Sequence, residues 1–339
     1  MRGFGVDGTG IAVAVLDSGI DDRDDLKDAA GKSRIVYRES FVPGKDAKDE
    51  YGHGSHVAGI IGGNGKKSTG SQHDYQVRGI APNVRIVALR VLDMNGAGQD
   101  SWVIAAIQRA IALKNVYNIG VLNLSLGRVV SDTQERPALL GRRTGVESGI
   151  VVVAAAGNDG RDYYQLSGTS MAAPMVLGAA ALLLQKYPSL TPDQVKARLM
   201  KTATKFPAGY SISTHATTGQ TFVIQYDVFT IGAGYLNIPA ALSNSDVWNG
   251  TALSPQVTYD SASGNTCLFL TNYGDFSGGS AAPWGTTAVW GTTAVWGTTA
   301  VWGTTATQGF TAVWGATAVF GSSTSSDARA LLTAIHGDK

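Results

Sequence analysis

The sequence predicts an α/β domain with a mostly parallel sheet, and three observations carry that prediction. Between residue 10 and about residue 240, short apolar runs alternate with longer amphipathic ones, the pattern of parallel strands joined by helical crossovers. Four of the short runs, Ile11 to Leu16, Val84 to Val91, Val121 to Ser125 and Ile150 to Ala156, are β-rich and apolar at nearly every position, as strands covered on both faces must be. The third observation is a set of helix signatures. Asp100 to Lys114 places Val103, Ile104, Ile107, Ala110 and Ile111 at spacings of three and four, with Ser101 near its start. Thr191-Pro192-Asp193 is a cap followed by proline at the first helical position, ahead of Val195 and Leu199. Ser167 to Gln185 carries alanine or leucine on every face, so it predicts a helix buried all round.

Length and charge narrow the function. A chain of 339 residues is long enough for about two domains. With 27 Lys and Arg against 26 Asp and Glu, the net charge of +1 leaves no electrostatic footprint for nucleic acid or an anionic membrane. The longest nearly apolar stretch, Ala172 to Leu184, contains Pro174 and Gly178 and has 13 residues, short of the roughly 18 that a membrane span needs. Cys267 is the sole cysteine, so no disulfide can form within the chain. The opening MRGFGVDGTG has no apolar stretch of the kind a secretory signal carries.

After about residue 240 the composition shifts to Ser, Thr, Gly and Asn. The expected organisation is a catalytic domain over 1–242, a linker or small β segment over 243–280, repeats over 281–323 and a terminal segment over 324–339. The repeat is W-G-T-T-A-V: Trp284, Trp290, Trp296, Trp302, Gln308, Trp314 and Phe320 each precede a glycine. Because six is even, an extended chain puts every Trp on one face with Ala, and Val on the other. A β-rich module whose aromatic ladder is buried by neighbouring repeats or a second copy is one reading, giving self-association; a disordered low-complexity tail is the other.

Three glycine-flanked polar residues end apolar runs: Asp17 in VAVLDSGI, His53 in YGHGSHVAGIIGG and Ser170 in LSGTSMAAPMVLG. A serine hydroxyl is a weak nucleophile unless an imidazole takes its proton, and the imidazole needs a carboxylate to fix its tautomer. Asn158 in VVVAAAGNDG supplies a side-chain amide for a developing oxyanion, and Ser170 at a helix start supplies a second donor, its own N–H. Each motif alone has a bland reading: Asp-Ser-Gly at 17–19 is usually just a turn, and Gly-x-Ser at 168–170 is by itself a weak signal. His53 and His56 at i, i+3 raise a metal, but the glutamate that a zinc-protease helix carries between its histidines is missing.

Together and in this order, DSG, HGSHVAG, AAGN and GTSMAAP resemble the motifs of the subtilisin-like serine proteases, the subtilases, over roughly residues 5 to 240. The resemblance implies a three-layer fold and a serine endopeptidase acting on proteins or peptides. In it Asp17 is the orienting acid, His53 the general base, Ser170 the nucleophile and Asn158 the oxyanion donor. It also implies that Ser125, Leu126 and Gly127 wall the pocket for the residue before the scissile bond, while Gly96, Ala97 and Gly98 pair with an extended substrate. No cofactor is required for such chemistry. A structural calcium ion on Asp21, Asp22, Asp24 and Asp25 is one expectation; a merely solvated acidic loop is the other. The family also implies an extracellular or cell-surface location. The sequence departs from the family in one place: only 11 residues separate Asn158 from Ser170, where subtilases place several tens. Twelve chain steps reach up to about 40 Å, so the catalytic groups can still meet, but a wall of the site is lost. An inactive relative that binds extended peptides along Gly96 and Ser125 is therefore the alternative expectation.

Overall fold

A computed structural model describes residues 2–71, 76–126, 145–155, 168–204 and 233–252, with the backbones of the strands at 210–214, 221–225, 256–260, 265–269, 273–276, 294–296, 300–302, 312–314 and 318–320. The chain forms two compact units, Met1–Val195 and Lys196–Lys339.

The first unit is built on five strands: β1 (Ala12–Asp17), β2 (Ile35–Ser40), β3 (Arg85–Arg90), β4 (Ile119–Leu124) and β5 (Val151–Ala154). Their order is β2-β3-β1-β4-β5 and every pairing is parallel. All six residues of β1 are buried, which is why Ala12–Leu16 is an unbroken apolar run ahead of Asp17. One face of the sheet, carrying Ala12, Ala14, Leu16, Val87, Leu89, Leu122 and Leu124, packs on Val103, Ala106, Ile107 and Ala110 of α2 (Asp100–Tyr117). Alternate residues such as Val13 and Val15 turn to the other side. There α1 (His53–Gly62) lies against β1, α3 (Thr169–Lys186) lies against β4 and β5, and the two helices pack on each other. The result is the three-layer α/β arrangement. In α3 an unbroken buried run extends from Leu177 to Leu184, while its first turns leave Ala172 and Met175 exposed.

The strand β2 has no counterpart among the apolar runs. It lies at the sheet edge and carries Tyr37, Arg38 and Glu39, with Glu39 paired to Arg109 of α2 at 2.7 Å. An edge strand needs only part of its surface to be apolar, so its signal in the sequence is weak.

In the second unit, Trp248 is buried with Ala197 and Ala252. Lys201 pairs with the Asp246 carboxylate, and Arg198 donates to the Asp246 carbonyl at 2.8 Å. Farther on, short antiparallel pairs form between Tyr210–Thr214 and Thr221–Gln225, between Gln256–Asp260 and Asn265–Phe269, and between Trp248–Thr251 and Tyr273–Phe276. The described repeat backbone forms four three-residue strands in one antiparallel sheet, Ala294–Trp296, Ala300–Trp302, Ala312–Trp314 and Ala318–Phe320. Its register sets Ala against Trp or Phe and Val against Val.

Candidate active site

Asp17 is the last residue of β1 and His53 the first of α1. The buried Asp17 accepts a hydrogen bond from His53 Nδ1 at 2.8 Å and one from its neighbour's amide, Ser18 N–H, at 2.8 Å, both on Oδ1. Its Oδ2 is buried with no hydrogen-bond partner among the described residues. Two glycines allow this approach. A Cβ on Gly54, next to His53, would sit 2.1 Å from the Gly19 carbonyl oxygen, and one on Gly19 would sit 2.3 Å from the Lys48 carbonyl oxygen. Gly19 also has φ +110, a conformation that side chains disfavour. The glycines in DSG and HGSH thus let the histidine helix, the aspartate strand and the 47–48 loop close on one another.

Ser170 is the second residue of α3 and is buried. Its amide lies in the first helical turn, at the end where the helix dipole favours negative charge. Four residues on stands Pro174, which has no N–H to donate to the Ser170 carbonyl. Ser125 supplies that bond instead: its hydroxyl donates to the Ser170 carbonyl at 2.8 Å, and the Asn123 side-chain amide donates to the Ser125 hydroxyl oxygen at 2.8 Å. The start of α3 is thereby tied to the end of β4. Ala14 and Val15 of β1 pair with Leu122 and Asn123 of β4, so continuing that register sets Asp17 beside Ser125, one strand spacing of about 4.8 Å away. The elements bearing the acid–base pair and the serine therefore begin side by side at the carboxyl edge of the sheet, the usual place for an α/β site.

Of the remaining expected residues, Leu126 is half-buried against the sheet core. Gly96 (φ +74), Ala97 and Gly98 form a turn anchored by Asp93: its Oδ1 accepts from Asn95 N–H and Ala97 N–H at 2.8 and 3.0 Å, and its own N–H donates to the Ala97 carbonyl at 2.7 Å. Gly98 bridges back to Leu92. Asn158 and Gly127 lie outside the described residues. Ser18, Asp49, Arg90 and Asn123 also serve the site; Ser18 sits inside the DSG motif without a role assigned to it from the sequence, and among the others the one readable signal is Asp49, an acid shortly before the first residue of a helix.

Electrostatics favour a charged His53. Burial lowers its pKa, but the hydrogen bond to Asp17, the charge of Asp17 and the charge of Asp49 together hold it above the ordinary histidine value of 6.5.

The acidic segment does not fit a calcium ion. Asp24 is paired with Lys27 at 2.8 Å and Lys67 at 3.1 Å, which pull its pKa to about 2; Asp21 is paired with Arg23, and Asp22 accepts from the Ser33 hydroxyl. Among the described residues no group of three or more His, Cys, Asp or Glu side chains is arranged to hold a metal, and no helix is long and apolar enough to cross a membrane.

Comparison with known proteins places this geometry in a family. The chain is 33% identical over 257 residues to subtilisin E of Bacillus subtilis (strain 168), covering 59% of this chain and 62% of the relative's length. It is 33% identical over 257 residues to a subtilisin of Bacillus pumilus, covering 59% of this chain and 86% of the relative. A solved protease structure from Pseudoalteromonas arctica shares the fold with a TM-score of 0.53 at 23% identity, over 70% of this chain and 91% of that one. The sequence model of the subtilase family matches residues 8–164 and 159–234, two segments that meet where the connection to Ser170 is short. On that match, which spans more than half of its length, the chain belongs to the subtilase family.

Proposed function

We propose that the protein is a serine endopeptidase that cleaves peptide bonds through an acyl-enzyme on Ser170. The single observation that carries the proposal is the 2.8 Å bond from His53 Nδ1 to the buried Asp17, at the sheet edge where Ser125 anchors the Ser170 helix. With Nδ1–H committed to Asp17, the other ring nitrogen is the acceptor for the Ser170 proton. The serine oxygen bonds to the substrate carbonyl carbon and the carbonyl oxygen takes up the negative charge; the donors assigned to it are the Ser170 amide at the positive helix end and, by the family resemblance, the Asn158 side chain. The imidazolium then gives its proton to the leaving amine as the C–N bond breaks. Water, deprotonated by the same ring, releases the acyl group and restores the serine.

An extended peptide would lie as an added strand along Gly96 to Gly98 and Ser125 to Gly127. In the first stretch the N–H groups of Gly96 and Ala97 already donate to Asp93. The catalytic region is taken as 1–242, supported by a family match that ends at residue 234, with 243–280 as a connecting segment and 281–323 as a self-associating repeat. An extracellular or cell-surface setting is the reading the family resemblance supports.

A fluorophosphonate probe tests the nucleophile. We expect stoichiometric labelling at Ser170, abolished in Ser170→Ala and in His53→Ala. A folded wild-type protein that takes no label under conditions that saturate a Bacillus subtilisin contradicts the proposal and leaves peptide binding alone.

A further inference from the structure

We propose that Asp49, held in place by the buried Arg90, is a positioning residue for the His53 base. The inference rests on the peptidase reading above. Asp49 lies four residues before His53 and gathers four donors. Its Oδ1 accepts from the Ser18 hydroxyl at 2.8 Å, Gly52 N–H at 2.7 Å and Tyr51 N–H at 3.2 Å; its Oδ2 accepts from Ser55 N–H at 2.7 Å. Gly52 stands just ahead of α1 and has no side chain with which to cap it, and Ser55 is its third residue. The carboxylate therefore does from a distance what a capping side chain does locally, satisfying amides at the open end of the helix.

Ser18 joins this cap to the acid–base pair. Its hydroxyl oxygen accepts from Gly54 N–H at 3.0 Å and lies 2.8 Å from Asp49 but 3.3 Å from Asp17. A hydroxyl has one proton, and the shorter contact takes it. Asp17 then keeps the Ser18 amide and the imidazole as its donors, while Asp49 fixes the helix end from which the imidazole projects.

The loop that bears Asp49 is clamped from below. Arg90 is fully buried and pairs with Asp17 in the β1–β3 register. Its guanidinium donates to the carbonyls of Asp46, Lys48 and Leu92 at 3.0 to 3.1 Å and to Glu50 Oε2 at 2.7 Å. These loop partners bracket position 49 on both sides. A planar fork with five donors suits this task, and an ammonium group does not reproduce it.

Charge adds to position. Burial pushes the Asp49 carboxyl up, but the Ser55, Gly52 and Ser18 donors outweigh it and hold the group below its ordinary range, so it is ionised at neutral pH. The titratable groups around His53 are Asp17 on β1, Asp49 and Tyr51 on the loop and His56 on α1. Of these, the two carboxylates favour the imidazolium.

The test follows the rate of fluorophosphonate labelling of Ser170 against pH in the full chain, normalised to folded protein, together with the NMR titration of His53. Asp49→Asn keeps the shape, removes the charge and turns an N–H2 group toward one of the amides. The acid midpoint and the His53 titration should both move to lower pH, and the alkaline plateau should fall about tenfold to a hundredfold, as for a misplaced catalytic group. Arg90→Lys keeps the charge and loses the fork, so the plateau should fall with little change in midpoint. A purely structural role would lower the melting temperature and leave midpoint and plateau as in wild type, and that result overturns the proposal. If Asp49→Asn does not fold, Asp49→Ser, which keeps an oxygen acceptor without the charge, must show the same midpoint shift. Absence of label on wild-type Ser170 would count against the peptidase reading alone; equal His53 titrations in wild type and variant would still refute the role given to Asp49.

Discussion

Stabilising a protonated His53 and using it as a base pull in opposite directions. The raised pKa contributes stability that is fully present below the unfolded value near 6.5 and is lost as pH climbs through the higher folded value. Catalysis needs the neutral ring, so activity should rise over the same window in which that stability fades. The acid limb of kcat/KM should therefore have its midpoint above 6.5, and urea unfolding should show His53→Gln closer to wild type in stability at pH 9 than at pH 5.5. A midpoint below that value, or a difference that grows with pH, would contradict the assignment. Much of this residue-scale picture is legible in the sequence, because Asp17, His53 and Ser170 are polar groups set among glycines at the ends of apolar runs. Asp49 and Arg90 are not legible in the same way. One is an acid in a charged loop, the other the last residue of an apolar strand, and each acquires its role only when contacts 31 to 44 residues away in sequence close.

Among the elements, α3 shows how a local fault is repaired by a distant strand. Proline at 174 removes the bond that would close the first turn on the Ser170 carbonyl, and the Ser125 hydroxyl replaces it. Ser125→Ala should cost about 1–2 kcal/mol, as for a lost buried hydrogen bond, which is a few degrees in melting temperature for a domain of this size. Adding Pro174→Ala should recover part of the loss, because the substituted residue then offers an N–H four positions on from Ser170. Thermal melts of the two single variants and the double variant measure this coupling; strictly additive effects would show that the hydroxyl does not stand in for the missing amide. The pairing of Ser125 with Pro174 cannot be read from either segment alone. By contrast, β1, β3, β4 and β5 are plain in the sequence because helices cover both faces of the sheet. The edge strand β2 is hidden because its surface is shared among Tyr37, Arg38 and Glu39.

For the whole molecule, the repeats raise a question that the catalytic region does not. Three strand interfaces follow one rule, Ala against Trp or Phe and Val against Val. The outermost strands, Ala294–Trp296 and Ala318–Phe320, each pair on one side only within the described sheet. A strand at the edge of the described sheet, its sequence repeating that of its neighbours, is a template for the same strand from another copy. The tail should therefore drive self-association without touching the chemistry. Deleting residues 281–323 should abolish the concentration dependence of the sedimentation coefficient while leaving the Ser170 labelling rate unchanged. Replacing Val295 and Val319 with proline should reproduce the deletion, since proline removes a ladder donor from each outer strand and bars it from a sheet interior. A shortened chain that still associates would place the contact elsewhere. A shortened chain that labels more slowly would mean that the repeats support the catalytic unit, and the division of labour between the two regions would fail.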